Sequence, residues 1–140
     1  MGNKKNLMKR IKSALISLSD KSNLKTLLLE LKRNNIKVIS SGGTFKEIKR
    51  LKFKCEEVST FTGFGEILDG RVKTLHPKIY AGILSKRNNK SHINDIKKNN
   101  FENIDLVIVN FYPFEKILEQ TKNHIKIIEN IDVGGPAMVR

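Results

Sequence analysis

The sequence is poor in the residues that build disulfide-linked or metal-centred domains. It contains 1 cysteine, Cys55, and 3 histidines, His76, His92 and His124, in 140 residues. One cysteine excludes an internal disulfide and a four-cysteine zinc site. The histidines lie too far apart for the HExxH motif of zinc hydrolases. We therefore expect no structural metal.

Long apolar runs are missing as well. No stretch approaches the roughly 18 apolar residues of a membrane span, and the start, MGNKKNLMKR, is followed by no signal-peptide core. With 39% hydrophobic residues, 3 prolines and 9 glycines, the composition is that of a folded globular protein. We expect one domain of ordinary size, without membrane association, in the cytoplasm.

Acidic residues are scarce, since 27 Lys+Arg face 14 Asp+Glu and the net charge is +13. Such a charge makes nucleic acid a candidate partner. However, no aromatic residue lies among the basic residues before Phe45, so a stacking platform for bases is missing. We read residues 1–11 as a basic tail and the other lysines mainly as solvated helix faces, with no nucleic-acid partner. A basic nucleic-acid-binding module is the alternative.

Apolar segments alternate with amphipathic ones along the chain. Strands are predicted at 12–18, 36–40, 54–58, 79–84 and 105–110, the last with the near-continuous hydrophobicity of a strand buried on both faces. A first helix is predicted at 22–34, and a second begins at a capping box formed by Thr44 and Glu47. Residues 59–77 are predicted as a loop-rich stretch. Further helices are predicted at 89–99 and near Pro113, His124 and the end of DVGGPAMVR. This order predicts an α/β fold, a mainly parallel sheet with helices on both faces.

Ligands of such folds bind beyond the carboxyl ends of the strands. Ser41-Gly42-Gly43-Thr44 follows a strand and opens a helix there. Its glycines let backbone amides converge and its two hydroxyls add donors, so the segment is typical of a phosphate cradle. The equally weighted alternative is a tight turn with Ser41 or Thr44 as the helix N-cap. The spacing of a Walker A loop is absent.

Four further strand-end segments carry reactive side chains. Ser19-Asp20-Lys21 is either a helix cap or a phosphate contact, and DGRVKTLHP (69–77) is a long loop in which Arg71 and Lys73 can face the same way. Tyr112 is either a proton-transfer group or core, and Asp132, beside two glycines, is either a cap or a ligand contact. A solvated loop is the alternative for the DGRVKTLHP segment.

Together these motifs resemble a known family. SLSDKSNL, ISSGGTFKEI, FTGFGEILDGRVKTLHPKIYAGIL, IDLVIVNFYPFE and IENIDVGGPAMVR, in this order, look like the inosine monophosphate (IMP) cyclohydrolase domain of the bifunctional purine-biosynthesis enzyme. The resemblance implies a methylglyoxal-synthase-like three-layer fold over residues 12–140. It also implies ring closure of 5-formamidoimidazole-4-carboxamide ribotide to IMP with loss of water, a cyclic-amidine hydrolase running in the synthetic direction. The family uses no metal or organic cofactor for this step.

The resemblance also assigns the site. The stretches that bind the purine mononucleotide in the family match Ser19, Asp20, Lys21, Ser41, Gly42, Gly43, Thr44, Arg71, Val72, Lys73, Thr74, Val109, Asn110, Asp132, Val133 and Gly134. Its catalytic groups match Lys73, Tyr112 and Asp132. These matches imply that the cradle and Lys21 hold the phosphate, with Arg71 as a further contact. Asn110 and Asp132 then orient the carboxamide, Lys73 stabilises the oxyanion and Tyr112 relays the proton.

One family feature is absent. A further catalytic lysine lies in an AAAKN segment after GGPAMVR in relatives, followed by a transformylase domain, whereas this sequence stops at Arg140. We therefore expect a truncated domain with low activity, whose full-length form is a homodimer as in relatives. The alternatives are an inactive fragment, or methylglyoxal synthase and the allosteric domain of carbamoyl phosphate synthetase, which share the architecture but fit DGRVKTLHP and NFYPF poorly.

Overall fold

A parallel sheet organises the computed structural model, which describes residues 10–139. Its strands are β1 (Ser13–Leu18), β2 (Lys37–Ser40), β3 (Glu56–Glu57) and β4 (Leu106–Asn110), in the order β3-β2-β1-β4. The pairing places Ser13 opposite Lys37 and Ala14 opposite Leu106. Because all strands run the same way, the carboxyl ends of β1, β2 and β4 meet at one edge of the sheet.

Helices connect the strands. They are α1 (Leu24–Arg33), α2 (Gly42–Arg50), α3 (Val58–Thr62), α4 (Pro77–Leu84), α5 (Lys90–Lys98), α6 (Phe114–Gln120), α7 (His124–Glu129) and α8 (Gly134–Val139), with a 3-10 turn at Leu68–Gly70. The predicted α/β fold is confirmed, as are the helices predicted at 22–34 and 89–99 and those near Pro113 and His124. The helix predicted at the end of DVGGPAMVR also forms, and it begins at Gly134.

Two apolar cores lie on the two faces of the sheet. Alternate residues of β1 point to opposite sides, so Ala14 and Ile16 enter one core and Leu15 the other. The first core is closed by α1 and α2, with Leu24, Leu28, Leu31, Val38 and Ile48 buried. The second is closed by α3, α4 and α8, with Ile39, Val58, Phe61, Ile79, Ile104 and Met138 buried. The predicted arrangement of helices on both faces is therefore confirmed.

The strand predicted at 79–84 is wrong, because these residues belong to helix α4. Pro77 occupies the start of the helix, where its missing N–H is not needed, and His76 Nδ1 accepts a hydrogen bond from the Lys78 amide at 3.1 Å. Ile79, Tyr80 and Ile83 then face the second core at helical spacing. A short apolar run fits a strand and a buried helix equally well, and the cap decides for the helix.

Three other expectations need correction. The strand predicted at 54–58 shrinks to Glu56–Glu57, because Val58 already begins α3, which also interrupts the stretch predicted as loop. Strand β4 packs on both cores, with Leu106 and Ile108 on one face and Val107 and Val109 on the other, but its burial is incomplete: it ends the strand order within residues 10–139 and each of its residues is only half-buried. Thr44 does not cap α2, because it lies inside that helix.

The segments after β4 are less tightly packed than the rest. Helices α6 and α7 bury none of their residues completely. Several apolar side chains here are exposed, namely Phe111, Tyr112, Leu118, Ile125, Ile128, Ile131 and Val133. No helix within residues 10–139 is long and apolar enough to cross a membrane. The predicted basic tail, residues 1–11, lies outside the described residues except for Arg10 and Ile11, which are exposed.

Candidate functional site

The N-terminus of α2 lies at the carboxyl edge of the sheet, directly after β2. Ser41 precedes the helix in an extended conformation and its side chain makes no capping hydrogen bond. Gly42 follows with φ +55°, a left-handed conformation that glycine adopts without strain. Phe45 is the first residue whose amide donates back into the turn, to Ser41 O at 3.2 Å. The preceding amides of α2 therefore point toward the sheet edge as donors for an anion.

Two lysine ammonium groups converge on this helix terminus from separate loops. Lys73 Nζ lies 2.7 Å from the position that a β-carbon on Gly42 would occupy. Lys21 Nζ lies 3.9 Å from the corresponding position on Gly43 and donates to Ser19 O at 3.1 Å. The absence of a side chain at Gly42 allows the close approach of Lys73. The sequence segments predicted to form a phosphate cradle are thus brought together.

A small cleft opens between the cradle and the loop that follows α3. It is lined by Ser41, Gly42, Glu57, Ser59, Phe64, Glu66 and Lys73. Glu57, Ser59, Phe64 and Glu66 are not among the residues that the sequence motifs predict for the site. Phe64 and Glu66 lie within the FTGFGEILDGRVKTLHP motif, so their position beside the cradle was signalled by proximity in sequence. Nothing in the sequence signalled Glu57 or Ser59.

Thr44 and Asn110 hold the loop after β1 in place. The buried Thr44 hydroxyl accepts from Leu18 N at 2.9 Å and donates to Leu18 O at 3.0 Å, so it is not the free anion donor that the sequence suggested. Asn110 Oδ1 accepts from Ser19 N at 2.6 Å and Asp20 N at 3.1 Å, and Asn110 Nδ2 donates to Asp20 O at 2.8 Å. Both side chains therefore shape the site through backbone contacts.

Asp20 completes this loop. Its Oδ1 accepts from Ser22 N at 2.9 Å, just before the start of α1, and α1 itself has Asn23 as its N-cap. Hydrogen bonds from the backbone and the side chain of Ser22 lower the pKa of the Asp20 carboxyl, with Lys21 adding a smaller attraction. The carboxylate thus acts as a turn-forming acceptor.

The DGRVKT loop meets the segment before α8. Arg71 does not face the cradle, because Nη2 donates to Glu129 at 2.5 Å and Nη1 to Asp69 at 3.2 Å. Thr74 Oγ1 lies 2.8 Å from the position of a β-carbon on Gly134. Asp132 Oδ1 accepts from Gly135 N at 3.0 Å, which places its carboxylate at the start of α8. These contacts place Asp132 and Gly134 next to the loop that carries Lys73.

The remaining predicted residues lie around this group. Tyr112 is 48% exposed beyond the end of β4, and no hydrogen bond of its hydroxyl is seen among residues 10–139. Val109 packs on the second core, Val72 is half-buried, and Val133 is 59% exposed. Within the same residues, no group of 3 His, Cys, Asp or Glu side chains is arranged to hold a metal ion.

Comparison with known proteins identifies the fold family. The model of the MGS-like domain matches residues 23–137, most of the chain. The chain belongs to the MGS-like domain family. The crystal structure of ForH superposes with a TM-score of 0.77 and 30% identity, covering 91% of this chain and 65% of ForH. The three-layer fold implied by the sequence resemblance is therefore confirmed.

This MGS-like domain also has curated relatives that are described as the bifunctional purine biosynthesis protein PurH. That of Acetivibrio thermocellus is 49% identical over 93% of the chain and 26% of the relative. That of Prochlorococcus marinus strain MIT 9215 is 52% identical over 91% of the chain and 25% of the relative. That of Bradyrhizobium diazoefficiens is 45% identical over 94% of the chain and 25% of the relative. The chain thus spans about a quarter of the length of these relatives, and the resemblance to the bifunctional purine enzyme is confirmed.

The two glycines of the cradle give a matched pair of substitutions. Gly42→Ala places a side chain at φ +55°, which costs about 1–2 kcal/mol, and forces the flexible Lys73 ammonium to move. In Gly43→Ala the new β-carbon would lie 3.9 Å from Lys21 Nζ, which is an ordinary van der Waals contact, and Gly43 is not among the residues with positive φ. We expect urea unfolding to show a lower free energy of unfolding for Gly42→Ala and an unchanged or slightly higher one for Gly43→Ala. Equal unfolding free energies for the two variants would contradict this geometry.

Proposed function

We propose that this MGS-like domain is an IMP cyclohydrolase. The Lys21 ammonium and the free amides at the N-terminus of α2 carry the proposal, because a cation and several free amides suit the 5′-phosphate of a mononucleotide, while the neighbouring Lys73 ammonium is left for the reacting group. The relatives described as purine biosynthesis proteins support a purine substrate. The substrate is then 5-formamidoimidazole-4-carboxamide ribotide and the product is IMP.

Ring closure forms one bond and expels one water. The carboxamide nitrogen attacks the formyl carbon and a C–N bond forms. The formyl oxygen then leaves as water with one proton from the carboxamide nitrogen and one from the formamide nitrogen, whose bond to the formyl carbon becomes double. In the proposed mechanism Lys73 stabilises the negative charge that develops on the formyl oxygen. Tyr112, which is partly exposed at the end of β4, relays the proton. Asp132 orients the carboxamide through the carboxylate oxygen that does not accept from Gly135.

The role of Asn110 is revised relative to the sequence expectation. Its side-chain amide is committed to the backbone of Ser19 and Asp20, so we assign it to fixing the loop that carries Lys21. Thr44 has the same kind of role through Leu18. Substrate contacts at these two positions are then made by backbone atoms. Arg71 is likewise engaged elsewhere, with Glu129 and Asp69.

The test measures binding and turnover by the purified chain. IMP binding is followed by calorimetry, and ring closure of the formylated ribotide by IMP absorbance against an enzyme-free control. We expect saturable IMP binding and a rate above the uncatalysed one. Dihydroxyacetone phosphate serves as a second substrate, and its conversion to methylglyoxal would support the rival activity of the same fold. Absence of both IMP binding and ring closure would overturn the proposal.

A further inference from the structure

The loop between α3 and α4 is joined to the segment that leads into α8 at two points. Arg71 pairs with Glu129 at the end of α7, and Thr74 contacts Gly134 at the start of α8. Arg71 and Glu129 are 58 residues apart in the sequence. Lys73, whose ammonium lies over Gly42, is located between these two contacts. The position of Lys73 thus depends on anchors on both sides of it.

Arg71 is held by three oxygen atoms. Its Nη1 donates to Leu68 O at 3.1 Å and to Asp69 at 3.2 Å, while Nη2 donates to Glu129 at 2.5 Å. A guanidinium is planar, so acceptors on both terminal nitrogens fix its orientation. Leu68 and Asp69 belong to the same turn as Arg71. Among these acceptors, only Glu129 ties Arg71 to a different part of the fold.

The backbone before Arg71 is strained. Leu68, Asp69 and Gly70 have φ values of +50°, +52° and +81°, so two residues with side chains adopt the left-handed conformation in succession. Such a backbone persists only where surrounding contacts hold it. The Leu68 and Ile67 side chains are largely exposed and provide little packing. Backbone hydrogen bonds from Gly70 N to Ile67 O and from Arg71 N to Leu68 O close the turn, and the Arg71–Glu129 pair ties it to α7.

We propose that Glu129 is a positioning residue, whose carboxylate fixes Arg71 and thereby holds Lys73 over the N-terminus of α2. The part of this inference that concerns catalysis rests on the proposed cyclohydrolase function. The part that concerns the loop does not. Glu129 also lies three residues before Asp132, so the same contact couples the segments that carry Lys73 and Asp132, two of the three proposed catalytic groups.

Asp69 provides a matched control. Both Asp69 and Glu129 pair with the Arg71 guanidinium, but the Asp69 side chain is 94% exposed and that of Glu129 is 49% exposed. An exposed carboxylate within the same turn contributes little to holding the guanidinium. Asp69→Asn is therefore expected to change the loop and the activity less than about 2-fold. Glu129→Gln removes the negative charge from the pair that ties Arg71 to α7 and leaves only a weaker, neutral acceptor.

The first measurement is amide hydrogen exchange of residues 68–75 in the full chain without ligand. We expect Glu129→Gln to accelerate exchange there by about 10-fold, and Glu129→Asp to restore part of the protection because the charge is kept. The second measurement is ring closure. We expect Glu129→Gln to lower kcat by about 10-fold with a smaller change in KM, since misplacement of Lys73 affects the chemical step more than binding.

The outcomes separate this inference from the proposed function. Exchange in Glu129→Gln that equals the wild type would overturn the positioning role, whatever the activity. Faster exchange with an unchanged kcat would overturn its catalytic part. A wild-type chain without IMP binding or turnover would overturn the proposed function, and exchange alone would then decide whether Glu129 fixes the loop. Faster exchange, lower kcat and partial rescue by Glu129→Asp together support the proposal.

Discussion

Replacing Lys73 with methionine is expected to lower the kcat of IMP formation by about 100-fold or more, because the variant loses the charge that stabilises the developing oxyanion. Methionine keeps the length and the apolar stem of the side chain. Among residues 10–139, the Lys73 ammonium makes no ion pair, so its removal is expected to change the unfolding free energy by less than about 0.5 kcal/mol. Turnover assays and urea unfolding of the same preparation measure the two effects.

Two further variants sharpen this test. Lys25→Met removes a charge from the exposed face of α1 and is expected to keep the wild-type rate. Lys73→Arg keeps the charge but should not restore activity, because a planar guanidinium spreads its charge and donors over a wider fork than the single ammonium that lies beside Gly42. Wild-type turnover by Lys73→Met would remove Lys73 from the mechanism.

Gly82→Ala is expected to lower the unfolding free energy by about 2 kcal/mol, since overpacking a tight contact costs about 1–3 kcal/mol. A β-carbon at Gly82 would lie 2.8 Å from Glu102 O and 3.0 Å from Ile104 Cγ1. The carbonyl oxygen belongs to the backbone and cannot rotate away. The segment is also fixed by hydrogen bonds from Ile104 N and Arg87 Nη2 to Gly82 O, both at 3.0 Å.

Gly65→Ala is the matched control for this prediction. No atom lies within 4 Å of a β-carbon at Gly65, and this residue is not among those with positive φ. We expect Gly65→Ala to leave stability unchanged or slightly higher, because alanine restricts the unfolded chain. Urea unfolding at neutral pH compares the two. A Gly82→Ala variant as stable as Gly65→Ala would show that α4 can move away from the Glu102 carbonyl.

The order of strands and helices was predictable where hydrophobic periodicity and length agree, as in α1 and β4. It was not predictable for α4, whose apolar residues 79–84 fit either class. The start of the helix is set there by Pro77 in its first turn and by the hydrogen bond from the Lys78 amide to the His76 ring. The burial of β4 was overestimated because hydrophobicity reports what a strand can bury, whereas its place at the end of the sheet order sets what it does bury.

The site was predictable as a set of loops, because parallel strands place their carboxyl ends together. Individual roles were not. Thr44 has the spacing of a helix cap, yet its hydroxyl binds the backbone of Leu18, which lies 26 residues earlier. Arg71 has the chemistry of a phosphate ligand, but its guanidinium donates a hydrogen bond to Glu129 instead. No local pattern contains such long-range partners, and only the folded chain brings them within hydrogen-bonding distance.

The central position of β1 has a consequence for how the domain folds. One neighbour of β1, strand β2, is available early, since the Ser40 hydroxyl donates to Ile16 O and the two residues are only 24 positions apart in the sequence. The other is distant, because the Asp105 amide meets Ser13 across 92 residues. Closing so long a loop is entropically costly and slows folding. During synthesis, the apolar edge of β1 therefore remains without its second neighbour until β4 has been made, and in that interval it is open to pairing with another chain.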